Sequence, residues 1–334
     1  MSKVLLDAGS GGRASQCLIA DIFQKAFDNQ VLNVLDDAAL LPDLGARLVM
    51  STDSYTVTPL FFPGGSIGSL AVHGTVNDVS MLGADPLYLS CGFIVEEGLE
   101  IDTLEAIVGD MANAAKTAGV SIVTGDTKVV PHGGCDQIFI NTTGIGRSVY
   151  PTPPSGHNAK PGDVVLVTGA MGDHGLTIMA MRNALSMRCD LQSDSAPLNG
   201  LVAKLLKACS TVHVLRDPTR GGLATTLNEI AGQSQVGIRL YETKIPVHEN
   251  VRSVCSIMGL DPLYLANEGK CIVIVGKEEM EKALGVLRSD PLGVEACVIG
   301  EVIAEKIGRV VLQTPLGGER LLGMLEGAQL PRIC

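Results

Sequence analysis

The chain closes on Pro331-Arg332-Ile333-Cys334, which makes a thiol its last residue. Arg332 would favour the thiolate, and the terminal carboxylate would oppose it. Pro331 pushes Leu330 toward extended backbone, and 326–330 carries no helical period. Residues 326–334 therefore read as a mobile tail with a reach of about 30 Å. Such a cysteine is either incidental or a nucleophile that carries a group between two sites. The first half suggests a second chemistry. Asp36-Asp37 precedes Ala38-Ala39-Leu40, Asp53 closes an apolar strand, Asp78 falls on the apolar stripe of a helix, and Asp126 follows Gly125 at a strand end. One such aspartate is usually a cap or a turn, but four suggest hard oxygen ligands for a divalent cation such as Mg2+.

Two glycine segments could meet phosphate. Gly9-Ser10-Gly11-Gly12 would do so through backbone N–H groups. Asp217-Pro218-Thr219-Arg220-Gly221-Gly222 opens a helix, with Arg216 and Arg220 beside it. Neither matches the P-loop or the dinucleotide fingerprint. Lys128 stands two residues after Asp126. Asn267-Glu268-Gly269-Lys270 sits just before an apolar strand, where Glu268 would also serve as a routine turn residue. His73, His132, His174 and His213 show no paired spacing and read as structural or surface residues.

The elements that must position these residues are mixed. Strands are expected over 49–53, 87–95, 120–124 and 138–144. Helices are expected over 66–82 and 103–118, the second capped by Asp102 or Thr103 and stopped by Gly119. A proline-rich run at 150–161 divides the chain. Beyond it come a strand at 164–168, helices at 174–186, 198–208 and 223–232, and strands at 271–275, 297–302 and 309–312. The expected fold is α/β in mixed layers, with domains over 1–150 and 156–325 and the tail over 326–334.

Composition narrows the function. The chain has 25 basic and 36 acidic residues, a net charge of −11, and no basic run, which argues against nucleic-acid binding. A nucleotide would have to be held through metal and backbone amides. Nine scattered cysteines without a C-x-x-C pair fit a reducing compartment. No apolar run approaches membrane-spanning length and no signal-peptide pattern opens the chain, so a cytoplasmic protein with no membrane association is expected.

Taken in order, Gly9–Gly12, Asp36-Asp37-Ala38, Ser51-Thr52-Asp53-Ser54-Tyr55, Gly74-Thr75-Val76-Asn77-Asp78, Gly125-Asp126-Thr127-Lys128-Val129, Asp217–Gly222, Asn267–Lys270 and the terminal Pro331–Cys334 closely resemble the HypE family of nickel–iron hydrogenase maturation factors. That family lies within the ATP-binding superfamily of aminoimidazole ribonucleotide synthetase. The resemblance implies a two-domain homodimer with ATP in the groove between domains. It also implies a carbamoyl dehydratase. The carbamoyltransferase HypF would load Cys334, ATP would drive conversion of the thiocarboxamide to a thiocyanate, and the cyano group would pass to iron on the HypC–HypD complex. By the same resemblance, Asp37, Asp53, Asp78 and Asp126 would hold Mg2+, while Lys128 and Glu268 would handle amide protons and charge. Asp217, Arg220, Gly221 and Gly222 would help with phosphate. Two rivals predict otherwise: a small-molecule kinase or synthetase of the same superfamily, or a non-catalytic nucleotide-sensing scaffold.

Overall fold

A computed structural model describes residues 12–13, 16, 39–43, 47–148, 150–182 and 191–327. Gly9–Gly11, Cys17, Asp36, Asp37 and the terminal Cys334 lie outside the described residues, as does the part of the 174–186 helix beyond 182.

The first half builds a five-stranded sheet from β1 (Ala39–Asp43), β2 (Arg47–Tyr55), β5 (Ala84–Glu96), β6 (Ser121–Val130) and β7 (Ile138–Ser148), in the order β1-β2-β7-β5-β6. A two-stranded ribbon, β3 (Phe61–Phe62) with β4 (Gly65–Ser66), leads into helix α1 (Ile67–Met81). Ser66 caps α1 through a reciprocal bond with Ser69, which is why the helix starts where the sequence predicts. The expected single apolar stripe is corrected, because α1 is buried on every side except at Ser69 and Asp78. Asp78 marks a gap in that cover rather than a charge facing a core. Gly68 and Gly74 permit the packing. A Cβ at Gly68 would stand 2.3 Å from the Ile107 carbonyl oxygen, and one at Gly74 would stand 2.3 Å from the Tyr55 hydroxyl.

Helix α2 (Ile101–Ala118) crosses between the parallel strands β5 and β6. Gly119, at φ +72°, stops it as expected. Its N-cap is Glu100, without a side-chain bond, rather than Asp102 or Thr103. β6 runs past the expected 120–124 because its pairing with β5 continues to Glu96 opposite Val130. Asp126 and Lys128 are therefore mid-strand.

The second half is a seven-stranded mixed sheet. Its strands are β8 (Val164–Val167), β9 (Val212–Arg216), β10 (Gly237–Tyr241), β11 (Ile272–Val275), β12 (Cys297–Ile303), β13 (Arg309–Gln313) and β14 (Glu319–Leu322), in the order β14-β13-β10-β12-β8-β11-β9. The central runs Val164-Val165-Leu166-Val167 and Ile272-Val273-Ile274-Val275 are apolar throughout because both faces are covered. The cover includes α4 (Asn199–Ala208), α5 (Gly222–Ser234) and α7 (Met280–Arg288), whereas the buried side chains of α3 (Asp173–Arg182) and α6 (Glu249–Met258) pack with the first sheet. Met81 of α1 sits in a core with α4 and β11, while Leu176 and Ile178 of α3 join the core of the first sheet. The two halves thus share apolar packing, with α1 between them. Among the described residues, no helix is long and apolar enough to cross a membrane.

Candidate active site

Along β2, Val49 and Tyr55 are buried and Ser51 and Asp53 half-buried, while Met50, Thr52 and Ser54 between them are exposed. That alternation turns Ser51 and Asp53 toward α1. The Ser51 hydroxyl donates to Asp78 Oδ2 at 2.7 Å, tying strand to helix. From the second half, Arg220 brings its guanidinium to 3.3 Å from Asp53 Oδ1. The Tyr55 phenol, 1% exposed, shares a 3.3 Å hydrogen bond with the Thr75 hydroxyl. Burial pushes this phenol well above its usual range, and Asp53, Asp78 and Glu268 push it further. Three carboxylates from β2, α1 and the loop before β11 therefore lie within electrostatic reach of one hydroxyl.

Glu268 is 3% exposed. Burial raises its carboxyl well above the ordinary range, with Asp217, Asp194 and Asp53 adding to the rise and Arg220 opposing it. Burial likewise pushes Asp217 up to about 6, against the pull of Arg216. Burial raises Asp53 too, and Arg220 opposes that shift. Such a crowd of desolvated carboxylates is where a divalent cation would be welcome. Among the described residues, no three His, Cys, Asp or Glu side chains form a ready-made metal cage. Asp53 and Asp78 nevertheless fit Mg2+, which commonly takes one or two carboxylates and draws its other oxygens from phosphate and water.

The segment Asp217–Gly222 opens α5, whose N-cap Gly221 (φ +76°) offers no side-chain cap. An anion beside Arg220 would meet that helix terminus. Gly222 (φ +61°) is needed for packing, since a Cβ there would lie 2.6 Å from the carbonyl oxygens of Leu263 and Leu265. Arg216 is buried and bonds Glu229 at 2.9 Å, so it braces α5 rather than flanking a phosphate pocket. Gly12 lies against the root of the tail. A Cβ at Gly12 would stand 2.0 Å from the Leu325 carbonyl oxygen, which accepts the Arg13 N–H at 3.1 Å. The Leu325 N–H in turn donates to the Thr225 hydroxyl in the first turn of α5, at 3.3 Å.

Asp126 and Lys128 are not brought into this cluster. Asp126 shares its row with Gly92, Asn141 and Ser54, one residue on from the row of Asp53, so the two aspartates face opposite sides of the sheet. Lys128 pairs with Asp126 at 2.8 Å, and both side chains are about two-thirds exposed. The four histidines have partners: His73 with Ser195, His174 with Ser193, His213 with Asp163, and His132 with Glu96. Sequence reasoning missed Asp194 and named Ser51 and Tyr55 only as members of the 51–55 motif, without a role. Their importance comes from chain segments meeting in space, for which a single sequence carries no periodic signal.

Residues 35–148 match the N-terminal domain of the AIR synthase related proteins, and 160–313 match their C-terminal domain. The carbamoyl dehydratase HypE of Azotobacter vinelandii is 52% identical over 326 residues, covering 98% of this chain and 96% of that protein. The chain belongs to the HypE family. A crystal structure of the hydrogenase maturation protein HypE in complex with ATP is similar at 62% identity and TM-score 0.84, over 99% of this chain and 100% of that one. A chain in a crystal structure of a HypE–HypF complex shares 51% identity at TM-score 0.89, over 92% of this chain and 99% of that one.

Proposed function

We propose that this HypE family member is the carbamoyl dehydratase that converts an S-carbamoyl group on Cys334 to a thiocyanate, with ATP becoming ADP and phosphate. The observation that carries the site assignment is the buried Glu268 carboxyl set among Asp53, Asp217 and Arg220 where the two halves meet. Bound Mg-ATP supplies a phosphoryl group that turns the amide oxygen, a poor leaving group, into one that can depart. Asp53 and Asp78, with Asp37, hold the cation. Arg220 and the start of α5, with Asp217, Gly221, Gly222 and the Gly9–Gly12 turn, receive phosphate. Glu268 accepts an amide proton once Mg2+ and Arg220 favour its charged form. The closed packing around it limits bulk water. Asp126 and Lys128 belong to this reading only through a homodimer whose second subunit would cover β6.

HypF is the partner that loads Cys334, and the HypC–HypD complex is the acceptor of the cyano group. We place the reaction in the cytoplasm, a reading supported by the absence of any disulfide among the described cysteines. The test is Glu268→Gln. It should be carbamoylated at Cys334 normally, because loading occurs at the partner, and then stall. The mass of the C-terminal peptide reads both steps, as a carbamoyl gain followed by loss of one water. Rapid water loss in Glu268→Gln would remove Glu268 from proton transfer.

A further inference from the structure

We propose that Asp194 is a positioning residue for Glu268, fixing the backbone from which the reacting carboxyl projects. This rests on the proton-transfer role of Glu268 proposed above. The segment 193–196 is a strap wedged between α1 and the loop before β11. Asp194 Oδ1 accepts the Glu268 N–H at 3.1 Å. On the other side of the same residue, the Asn77 amide donates to the Glu268 carbonyl oxygen at 3.3 Å and to the Ala196 carbonyl oxygen at 3.0 Å. Asn77 Oδ1 then accepts the Leu198 N–H at 2.7 Å, locking the strap to α1. Gly269 lets the strap lie this close, because a Cβ there would stand 1.8 Å from the Asp194 carbonyl oxygen. The peptide groups flanking Glu268 are thus held by two separate parts of the chain, the strap and α1.

The acceptor that braces Glu268 is a buried carboxylate, although a neutral oxygen could make the same bond. The Asp194 side chain is 2% exposed, and among the described residues its Oδ2 makes no hydrogen bond and has Lys270, at 3.9 Å, as its cationic neighbour. A neutral acceptor would brace the loop without leaving a carboxylate oxygen dry. Its charge also joins Asp217 and Asp53 in favouring the protonated form of Glu268, against Arg220. A base displaced by about 1 Å can lose roughly two orders of magnitude in rate. The strap is what prevents that displacement.

The experiment uses full-length protein carbamoylated at Cys334 and follows water loss after Mg-ATP in a single turnover. Asp194→Ala should slow water loss about 10- to 100-fold, with carbamoylation and the KM for ATP unchanged. Asp194→Asn, whose amide oxygen can still accept the Glu268 N–H, should recover to within about threefold of wild type. Hydrogen exchange at the Glu268 amide should be slow in wild type and in Asp194→Asn, and fast in Asp194→Ala. Fast exchange in wild type overturns the proposal even if Asp194→Ala fails to fold, as does an Asp194→Asn variant as slow as Asp194→Ala. Glu268→Gln run alongside separates the two ideas. Wild-type water loss there overturns the proton-transfer role, whereas a stalled Glu268→Gln beside a wild-type Asp194→Ala overturns the positioning role alone.

Discussion

Asp217 carries its carboxyl in a dry part of the cleft, with a folded value near 6 against 3.8 for the free group. A raised acid takes up its proton on folding. Its contribution to stability is therefore present below pH 3.8 and lost as the pH rises through 6. Without nucleotide or metal, Asp217→Asn should gain on wild type between pH 4 and 7, by about 3 kcal/mol for a two-unit shift. Thermal melts across that range check this, and parallel profiles would refute it. Arg220 gives a contrasting expectation. Its pair with Asp53 is partly exposed and contributes at most about 1 kcal/mol to the fold. Arg220→Gln should leave the melt nearly unchanged yet weaken ATP binding by about tenfold or more, the loss of one charged hydrogen bond. Titration calorimetry reads the difference, and unchanged affinity would remove Arg220 from the phosphate site. Asp53, Asp78, Asp217, Arg220 and Glu268 could be picked from the sequence because each sits in a motif. Asp194 could not, because its proposed role depends on a strap lying between a helix and a loop that are far away in sequence.

Elements were legible where local chemistry marked their ends. Ser66 and Gly119 fixed one end each of α1 and α2. β9, β10 and β14 have only four or five residues each, too few for a period-2 pattern to stand out. α6 carries Val251, Val254 and Cys255 at helical spacing, but His248 gives it no side-chain cap. β6 ran on past its apolar stretch because a neighbouring strand, not its own sequence, completed it. The junction before α5 can be tested by glycine replacement. Gly222→Ala meets two carbonyl oxygens at a positive φ and should lose roughly 1–3 kcal/mol in urea denaturation. Gly200→Ala, in α4 with nothing within 4 Å, should be neutral or gain up to about 1 kcal/mol. Equal midpoints for the two variants would mean the loop relaxes freely.

At the scale of the molecule, no element among the described residues covers one face of the first sheet. Met50, Tyr88, Ile94 and Ile145 lie on that face at 38–50% exposure, beside Thr52, Ser54, Asn141 and Thr143. β6, at its edge, is exposed along nearly its whole length. An apolar sheet face with an open edge is a natural surface for a second copy. Light scattering should give twice the mass of one chain, and Tyr88→Lys with Ile94→Lys should give the single mass. A wild-type chain that stays single at micromolar concentration would exclude this homodimer. The α/β class was legible because strand and helix patterns alternate along both halves of the sequence. How the halves lock through Asn77 was not, because a single amide serving three backbone groups leaves no pattern in sequence.

The bond from the Arg13 N–H to the Leu325 carbonyl oxygen fixes the point from which the last nine residues of the chain depart. Under the proposed loading of Cys334, nine residues with a reach of about 30 Å would hold the thiol near the cleft at an effective concentration in the millimolar range. Its encounter with the nucleotide would then be first order and indifferent to dilution. Because that concentration falls only as the three-halves power of length, doubling the tether would lower it about threefold. Reach and grip at the root, rather than the sequence of the intervening residues, would then set how often the terminal cysteine arrives.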